Sequence, residues 1–468
     1  MFAAAVWTLV VSPITVINYG TLVHEALSRE TDSVHISAYL FNVTNAEEFA
    51  SGEDSKLKVQ EVGPFTFQEN RTNEDLEIDR EAGVLRYTPR HRVTFLPEES
   101  VARPEDVTVT MPNIALLSMA SAVSGYGYLA RVGFNLLATR LRSNTTVTVS
   151  AQDYLWGYDE PLIRLGNQFL PGWIDFSTLG LLDRLYDKNA TYRIEVSARD
   201  EDKFMIKSPL AKYSTSSFLL HFSSPCNSFT DAYEGLGYPS EMASERPLKI
   251  YRSVLCRFLE LDYVGTKAME YGVDALEYKV SNRSFSKIPE NDCLCSKGTC
   301  YDGVSDLAPC LYGLPLVLSN AHFMDADPSV YARVEGMSPD EELHGSGFTI
   351  EPFLETHKFS VQLNVLVSDV TFNSNIQRYS HMLVPVAYFK IVQPKLPDDQ
   401  ITTIRLIHVY GPYVVIVIQL ILISSSIFLL SRSLRLIYWN WIFSRRKQIK
   451  SDVLNVKEVL FSEPLIKS

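Results

Sequence analysis

Six cysteines are all that the 468 residues contain, too few for a small scaffold held together chiefly by disulfides. Basic residues are also in deficit. Against 55 Asp and Glu stand 43 Lys and Arg, a net charge of −12, which excludes a nucleic-acid-binding surface spread over the whole chain, because phosphate contacts need a basic face. Internal repeats and low-complexity tracts are absent. Charged residues make up 21% and apolar residues 46%, a balance that excludes both bulk disorder and a polytopic transporter. Catalytic signatures are missing as well: there is no P-loop, no Gly-x-Ser-x-Gly elbow and no His-Glu-x-x-His. Gly125-Tyr-Gly127-Tyr-Leu-Ala130 fits the dinucleotide fingerprint formally, but no strand leads into it. Asp340-Glu-Glu-Leu-His344 follows a proline and reads as a solvated cap, and His322 beside Phe323 as structural. The chain is therefore read as a non-enzyme without cofactor or metal.

What is present begins with the ends. Residues 406–431 carry no Asp, Glu, Lys or Arg, and at about 1.5 Å per residue such a helix crosses a hydrocarbon layer of about 30 Å. After it come eight basic residues (Arg432, Arg435, Arg445, Arg446, Lys447, Lys450, Lys457, Lys467) against Asp452, Glu458 and Glu463. The positive-inside rule makes this tail, 432–468, cytoplasmic, and Tyr438, Trp439 and Trp441 read as an interfacial belt. Everything before the tail then carries −17. At the other end, residues 1–23 lack formal charge. They fit a short membrane span or a signal peptide, and the missing basic n-region favours an uncleaved membrane segment.

The length alone suggests about three domains, or one large β-rich unit between membrane ends, and residues 24–405 read as the latter. Five Asn-x-Ser/Thr sequons (Asn42, Asn70, Asn144, Asn189, Asn282) agree with an extracytosolic ectodomain and should occupy surface loops or strand ends. All six cysteines (Cys226, Cys256, Cys293, Cys295, Cys300, Cys310) fall in one stretch; disulfides are expected there rather than a zinc site, in any of fifteen pairings. Strands are expected at 56–62, 107–111, 145–149 and 359–367, with Gly63-Pro64 as a turn before Phe65-Thr-Phe67. Residues 112–141 break this pattern. They have helical spacing interrupted at 125–127, and no acid occurs between Asp106 and Asp153 while Arg131, Arg140 and Arg142 do. An ordinary core helix and a docking surface for apolar or anionic ligands both fit.

Several segments, in this order, resemble the class B scavenger receptor family: Tyr39-Leu-Phe-Asn-Val-Thr-Asn-Ala-Glu-Glu-Phe49, Gln60-Glu-Val-Gly-Pro-Phe-Thr-Phe67, Trp156-Gly-Tyr-Asp-Glu-Pro-Leu162, Cys256-Arg257, Cys293-x-Cys295, Ala321-His322-Phe323, Val334-Glu-Gly-Met-Ser-Pro-Asp-Glu-Glu-Leu-His344 and Phe348-Thr-Ile-Glu-Pro352. The resemblance implies an α+β, mainly β fold: an irregular antiparallel β-barrel ectodomain with an apical helical bundle and an internal lipid tunnel, flanked by membrane-spanning helices. It implies passage of fatty acids, sterols or carotenoids from lipoproteins or other carriers to the membrane, at the plasma membrane or in endosomes and lysosomes. It also implies the pairs Cys226–Cys293, Cys256–Cys310 and Cys295–Cys300, and places the ligand-docking helices at 112–141. There Leu117, Met119, Val123, Leu129, Phe134 and Leu137 are expected to form the opening, and Arg131 and Arg140 to attract anionic headgroups. A trafficking receptor that binds protein cargo at the same helices is the alternative, and an adhesion glycoprotein a third. Glu463-Pro464-Leu465-Ile466 resembles an acidic dileucine sorting signal, although Phe461 stands where the acid belongs. The family's short cytoplasmic N-terminal tail has no counterpart before the apolar segment, which leaves double anchoring open.

Overall fold

In the computed structural model the described residues are 16–169, 178–186, 192–210, 229–239, 242, 248–252, 257–269, 272, 274–295, 300–308, 313–351, 354–393, 401–402 and 405–461. Cys226, Cys256, Cys310, Asn189 and the dileucine-like segment lie outside them. Residues 14–270 and 274–396 form one compact unit, and the C-terminal helix belongs to a second.

The first unit is mainly β. Its main strands are β1 (Thr31–Val43), β2 (Leu57–Asp79), β3 (Val84–Phe95), β4 (Thr108–Pro112), β5 (Thr146–Ser150), β6 (Arg193–Ser197), β7 (Ile206–Leu210), β8 (Ala232–Tyr233), β9 (Leu248–Arg252), β10 (Arg257–Ala268), β11 (Asp274–Val280), β12 (Leu316–Ser319), β13 (Gly347–Glu351), β14 (Leu354–Val367) and β15 (Met382–Val392). Twelve of them run side by side in the order β8-β9-β10-β11-β13-β14-β15-β1-β2-β3-β6-β7. A single antiparallel bridge, Met205 to Tyr233, joins the two ends of that order, so the sheet nearly closes into a barrel. Every ring contact except the parallel β8–β9 pair is antiparallel.

Strand β14 shows why these residues form this wall. Phe359, Val361, Leu363, Val365 and Val367 alternate with Ser360, Gln362 and Asn364, the period of a pleated strand. Alternation of this kind usually marks one wet face. Here both faces are buried, because Ser319 to Phe323 cover the polar one. Gln362 Oε1 accepts from the His322 amide at 2.7 Å, Gln362 Nε2 donates to Asn364 Oδ1 at 2.6 Å, and Asn364 Nδ2 donates to Ser319 Oγ at 3.0 Å. The buried amides are thus satisfied within the wall.

Two expectations change. Gly63-Pro64 is not a turn: β2 runs through it with a register shift against β1 between Ala38 and Leu40. A Cβ on Gly63 would lie 2.7 Å from the Ala38 carbonyl oxygen, and its φ is +155°. Glycine here permits a bulge with close backbone approach rather than a reversal. The boundary at residue 23 also moves, since Ile17 is buried in a second apolar cluster with Leu27, Ile78, Leu85 and Tyr87; the folded unit takes in the end of the expected membrane segment, whose residues 1–15 lie outside the described ones. In the second unit a π-helical turn, Leu406–Tyr410, leads into one long α-helix, Gly411–Phe461.

Candidate functional site

The short ladder β4–β5 (Thr108 opposite Ser150 through Pro112 opposite Thr146) carries a helical hairpin between its strands. Helices α1 (Ile114–Ser124) and α2 (Tyr128–Leu141) are separated by Gly125-Tyr-Gly127, as the spacing predicts. Asn113 caps α1, its side chain accepting from the Leu116 amide at 3.0 Å, while its own amide donates to the Thr145 carbonyl at 2.9 Å. Ile114, Leu116, Leu117 and Ala120 then sink into the main core, and Ser121 ties α1 to β14 by donating to the Leu366 carbonyl at 3.4 Å.

Helix α2 lies over this base. Phe134 and Ala138, one turn apart, are buried. A loop brace holds them: Asn135 Nδ2 donates to the Phe372 carbonyl and Asn373 Nδ2 to Asn135 Oδ1, both at 2.8 Å, and the Phe134 and Phe372 rings meet edge-on at 6.2 Å. The opposite side faces water. Tyr126 is 66% exposed, Tyr128 78%, Leu129 84% and Leu136 68%. Leu129, Leu136 and Arg140 lie at i, i+7 and i+11, one stripe of the helix, and Gly133 between them carries no side chain. Arg140 and Arg142 are exposed and form no ion pair among the described residues.

The expected docking residues divide. Leu129 and Arg140 are on the open stripe. Leu117 and Phe134 are core residues, and Met119, Val123 and Leu137 are half-buried against that core. Arg131 is committed elsewhere: its guanidinium donates to the Ser124 carbonyl at 2.5 Å and lies 5.5 Å from the centre of the Phe372 ring. A cation at the C-terminus of α1 satisfies an orphan carbonyl and the helix dipole, so Arg131 braces the hairpin. Tyr126, Tyr128 and Leu136 are exposed, like Leu129, but are not among the expected docking residues, and Arg142, noted in the same acid-free interval, is exposed beside them. Spacing puts Phe134 and Ala138 on one face and Leu129 and Leu136 on another, but both are apolar and it does not say which is inside.

Among the sequons, Asn144 follows α2 and Asn282 opens a 3-10 turn, both exposed. Asn42, near the end of β1, is half-buried and its Oδ1 accepts from the Thr110 amide at 2.7 Å. Asn70 sits in the middle of β2 between β1 and β3, not in a loop. Cys295 and Cys300 are joined (S–S 1.98 Å, Cα–Cα 4.8 Å), and Cys293 is disulfide-bonded too; none of the three offers a thiolate to zinc.

A second cluster forms inside the first unit from β2, the turn Ala321–Phe323 and the helix α3 (Glu341–His344). Glu61, His322 and His344 bring ligand-type atoms within 4.8 Å of one another, a set that on composition alone suits zinc or iron. Its hydrogen bonds do not. The Ser338 amide donates to His322 Nδ1 and the Asp340 amide to His344 Nδ1, each at 3.1 Å. Both Nδ1 atoms are therefore acceptors and the ring protons belong on Nε2, with His322 Nε2 donating to Glu61 Oε2 at 3.0 Å. Metal-bound imidazoles normally donate from the other nitrogen, so this is a proton-bearing cluster and not an ion site. The two rings stack at 4.2 Å under Tyr388, which itself stacks on Tyr39 at 4.4 Å. Burial, then the neighbouring His322, push His344 down to about 4 against the opposing pull of Glu61 and Asp340. Burial alone would raise Glu61, but the hydrogen bonds from His322 and Tyr388 leave its carboxyl below the usual range. Asp340 caps α3 as expected; His344 is buried rather than solvated.

A family model described as the CD36 family matches residues 2–437. The chain is similar to lysosome membrane protein 2 of Mus musculus, 27% identical over 341 residues that cover 72% of this chain and 69% of that protein. It is 23% identical to scavenger receptor class B member 1 of Bos taurus over 447 residues, 92% of this chain and 85% of the other. Similarity to protein peste of Drosophila melanogaster extends over 325 residues at 26% identity, 67% of this chain and 57% of that one.

Proposed function

The chain belongs to the CD36 family, and from that premise we propose that it is a membrane-anchored receptor which captures lipid-bearing particles on the α2 stripe and passes lipid through the ectodomain to the bilayer. The observation that carries this reading is the stripe itself. Four large apolar or aromatic side chains stand open to water at the end of a braced hairpin, flanked by two arginines that form no ion pair among the described residues. Exposed apolar groups grouped this way mark interaction sites, and the arginines suit particles with anionic headgroups. Transfer itself needs no chemistry. Each methylene costs about 0.8 kcal/mol to expose to water, so a lipid moves along an apolar path down its own gradient, and the nearly closed sheet supplies a wall around such a path. The membrane anchor is the apolar stretch of Gly411–Lys457, mean hydropathy 2.6, with the basic side cytoplasmic and the ectodomain extracellular or lumenal.

Leu129→Asp combined with Leu136→Asp should weaken capture of lipid-laden particles about a hundredfold, since two buried leucines contribute about 1.5 kcal/mol each. The unfolding midpoint should stay put, both sites being exposed. Binding that is unchanged at an unchanged midpoint removes the stripe from the mechanism. Protein cargo is the competing ligand for the same surface. Lipid extraction of the purified ectodomain separates the two, for a cargo receptor would yield no stoichiometric lipid.

A further inference from the structure

Helix α4 (Gly411–Phe461) does not stop where its uncharged stretch does. Past Ser431 it continues to Phe461, a further length of about 45 Å at 1.5 Å per residue. At about 100° per residue, Arg432, Arg435, Arg446, Lys450 and Lys457 fall within a sector of about 60°, and Asp452 points to the far side. Trp439, Phe443 and Leu454 fall on or beside that sector, and Leu434 and Trp441 on the Asp452 side, each more than half open. Such a surface does not stay uncovered in water. Arg445 lies 4.6 Å from the Trp441 ring centre, a cation held at the level where indoles sit in headgroups.

We infer that residues 432–457 are an interfacial helix that binds the anionic phospholipid surface of the leaflet from which they emerge. This rests on the reading of α4 as a membrane anchor with its basic side cytoplasmic. Charge selects the occupant: a ridge of cations beside aromatic and aliphatic side chains matches acidic headgroups over an apolar layer. Connection to the span removes any search for that surface. A straight extension would carry Lys457 well beyond a Debye length of about 8 Å, out of reach of the surface potential, so the inferred contact requires a bend in the helix that runs unbroken from Gly411 to Phe461 here. The residues for a bend are there. Ser424, Ser425 and Ser431 each donate a hydroxyl hydrogen bond to a carbonyl three residues back, at 2.8–2.9 Å, the arrangement that lets helices bend.

The test uses the full chain in vesicles of phosphatidylcholine alone or with about a third phosphatidylserine, reading amide hydrogen exchange over 445–457. Exchange there should slow at least tenfold with phosphatidylserine. Each base contributes about fivefold near such a surface, so Arg446→Gln, Lys450→Gln and Lys457→Gln together should abolish the difference, as should high salt. Equal exchange in both lipids overturns the inference. Protection that tracks protein density instead of phosphatidylserine also overturns it, in favour of a second copy of the chain. A tag on the tail, probed with protease on intact cells, reports sidedness separately: a tail on the wrong side defeats the topology without touching the lipid measurement.

Discussion

Arg71→Met should destabilise the ectodomain by about 3–5 kcal/mol, seen as a fall in the denaturant midpoint of the detergent-solubilised chain. Arg71 on β2 donates to Glu234 at 2.9 Å, its Nε donates to Asn73 Oδ1 at 3.1 Å, and Tyr87 on β3 donates its hydroxyl to the same Glu234 oxygen at 2.5 Å. The two charged side chains are 12% and 6% exposed. Removing the arginine leaves a carboxylate out of water with only the phenol, among the described residues, to hold it, which is the costly case; a buried pair removed as a whole is not. Arg71→Met with Glu234→Leu should therefore recover most of the loss, a non-additivity of several kcal/mol. A single variant that costs under about 1 kcal/mol would show that this clasp carries no stability. Its position explains the expected size. Glu234 follows Tyr233, the residue that bridges to Met205 where the ends of the sheet meet, so the pair backs up the thinnest join in the wall.

Acid should weaken the fold through His344. An unstrained imidazole titrates near 6.5, and His344 is held at about 4. Between those values the unfolded chain binds a proton that the folded chain refuses, so stability falls as pH drops from about 6.5 to about 4 and is level below. The loss approaches about 3 kcal/mol. The reason is geometric as well as dielectric, because a proton on Nδ1 would face the Asp340 amide, donor against donor. Lowered carboxyls such as Glu61 also lose stability in acid, but only as pH falls through their own depressed folded values. The difference between wild type and His344→Gln isolates the imidazole. Superimposable unfolding curves from pH 7 to pH 4 would show that His344 is not the sensitive group.

Much of this was legible, and the gaps have physical causes. The uncharged stretch before Arg432 and the acid-free interval from Asp106 to Asp153 announced the long helix and the hairpin. Periodicity then failed to say which side of the hairpin is inside, because both sides are apolar; the brace from Phe372 and Asn373, far along the chain, decides it. That is why Leu117 and Phe134 were placed at an opening and lie in the core. Strand β2 hides much of its second half in the polar run 68–75, with no alternation to read. It is a strand because its neighbour β3 supplies opposite charges: Arg86 meets Glu77 and Asp79, each at 3.4 Å, and Arg90 meets Glu74 at 3.0 Å. Arg71 and Glu234 are too distant in sequence for any local pattern. His322 and His344 each looked structural in isolation; the left-handed turn at His322, φ 52°, aims its ring at the other.

The near-closure of the sheet also bears on how such a protein survives crowding in a bilayer. A strand with a free rim templates pairing with the next molecule, the first step toward insoluble aggregates. Along the twelve-strand order, among the described residues, the free rim lies at one gap, where Ala232–Tyr233 is only two residues long and a charged pair beside it is buried. Brevity and inward charge are the devices by which natural β proteins discourage edge-to-edge association, so the same residues that fasten the wall also keep neighbouring copies from extending it.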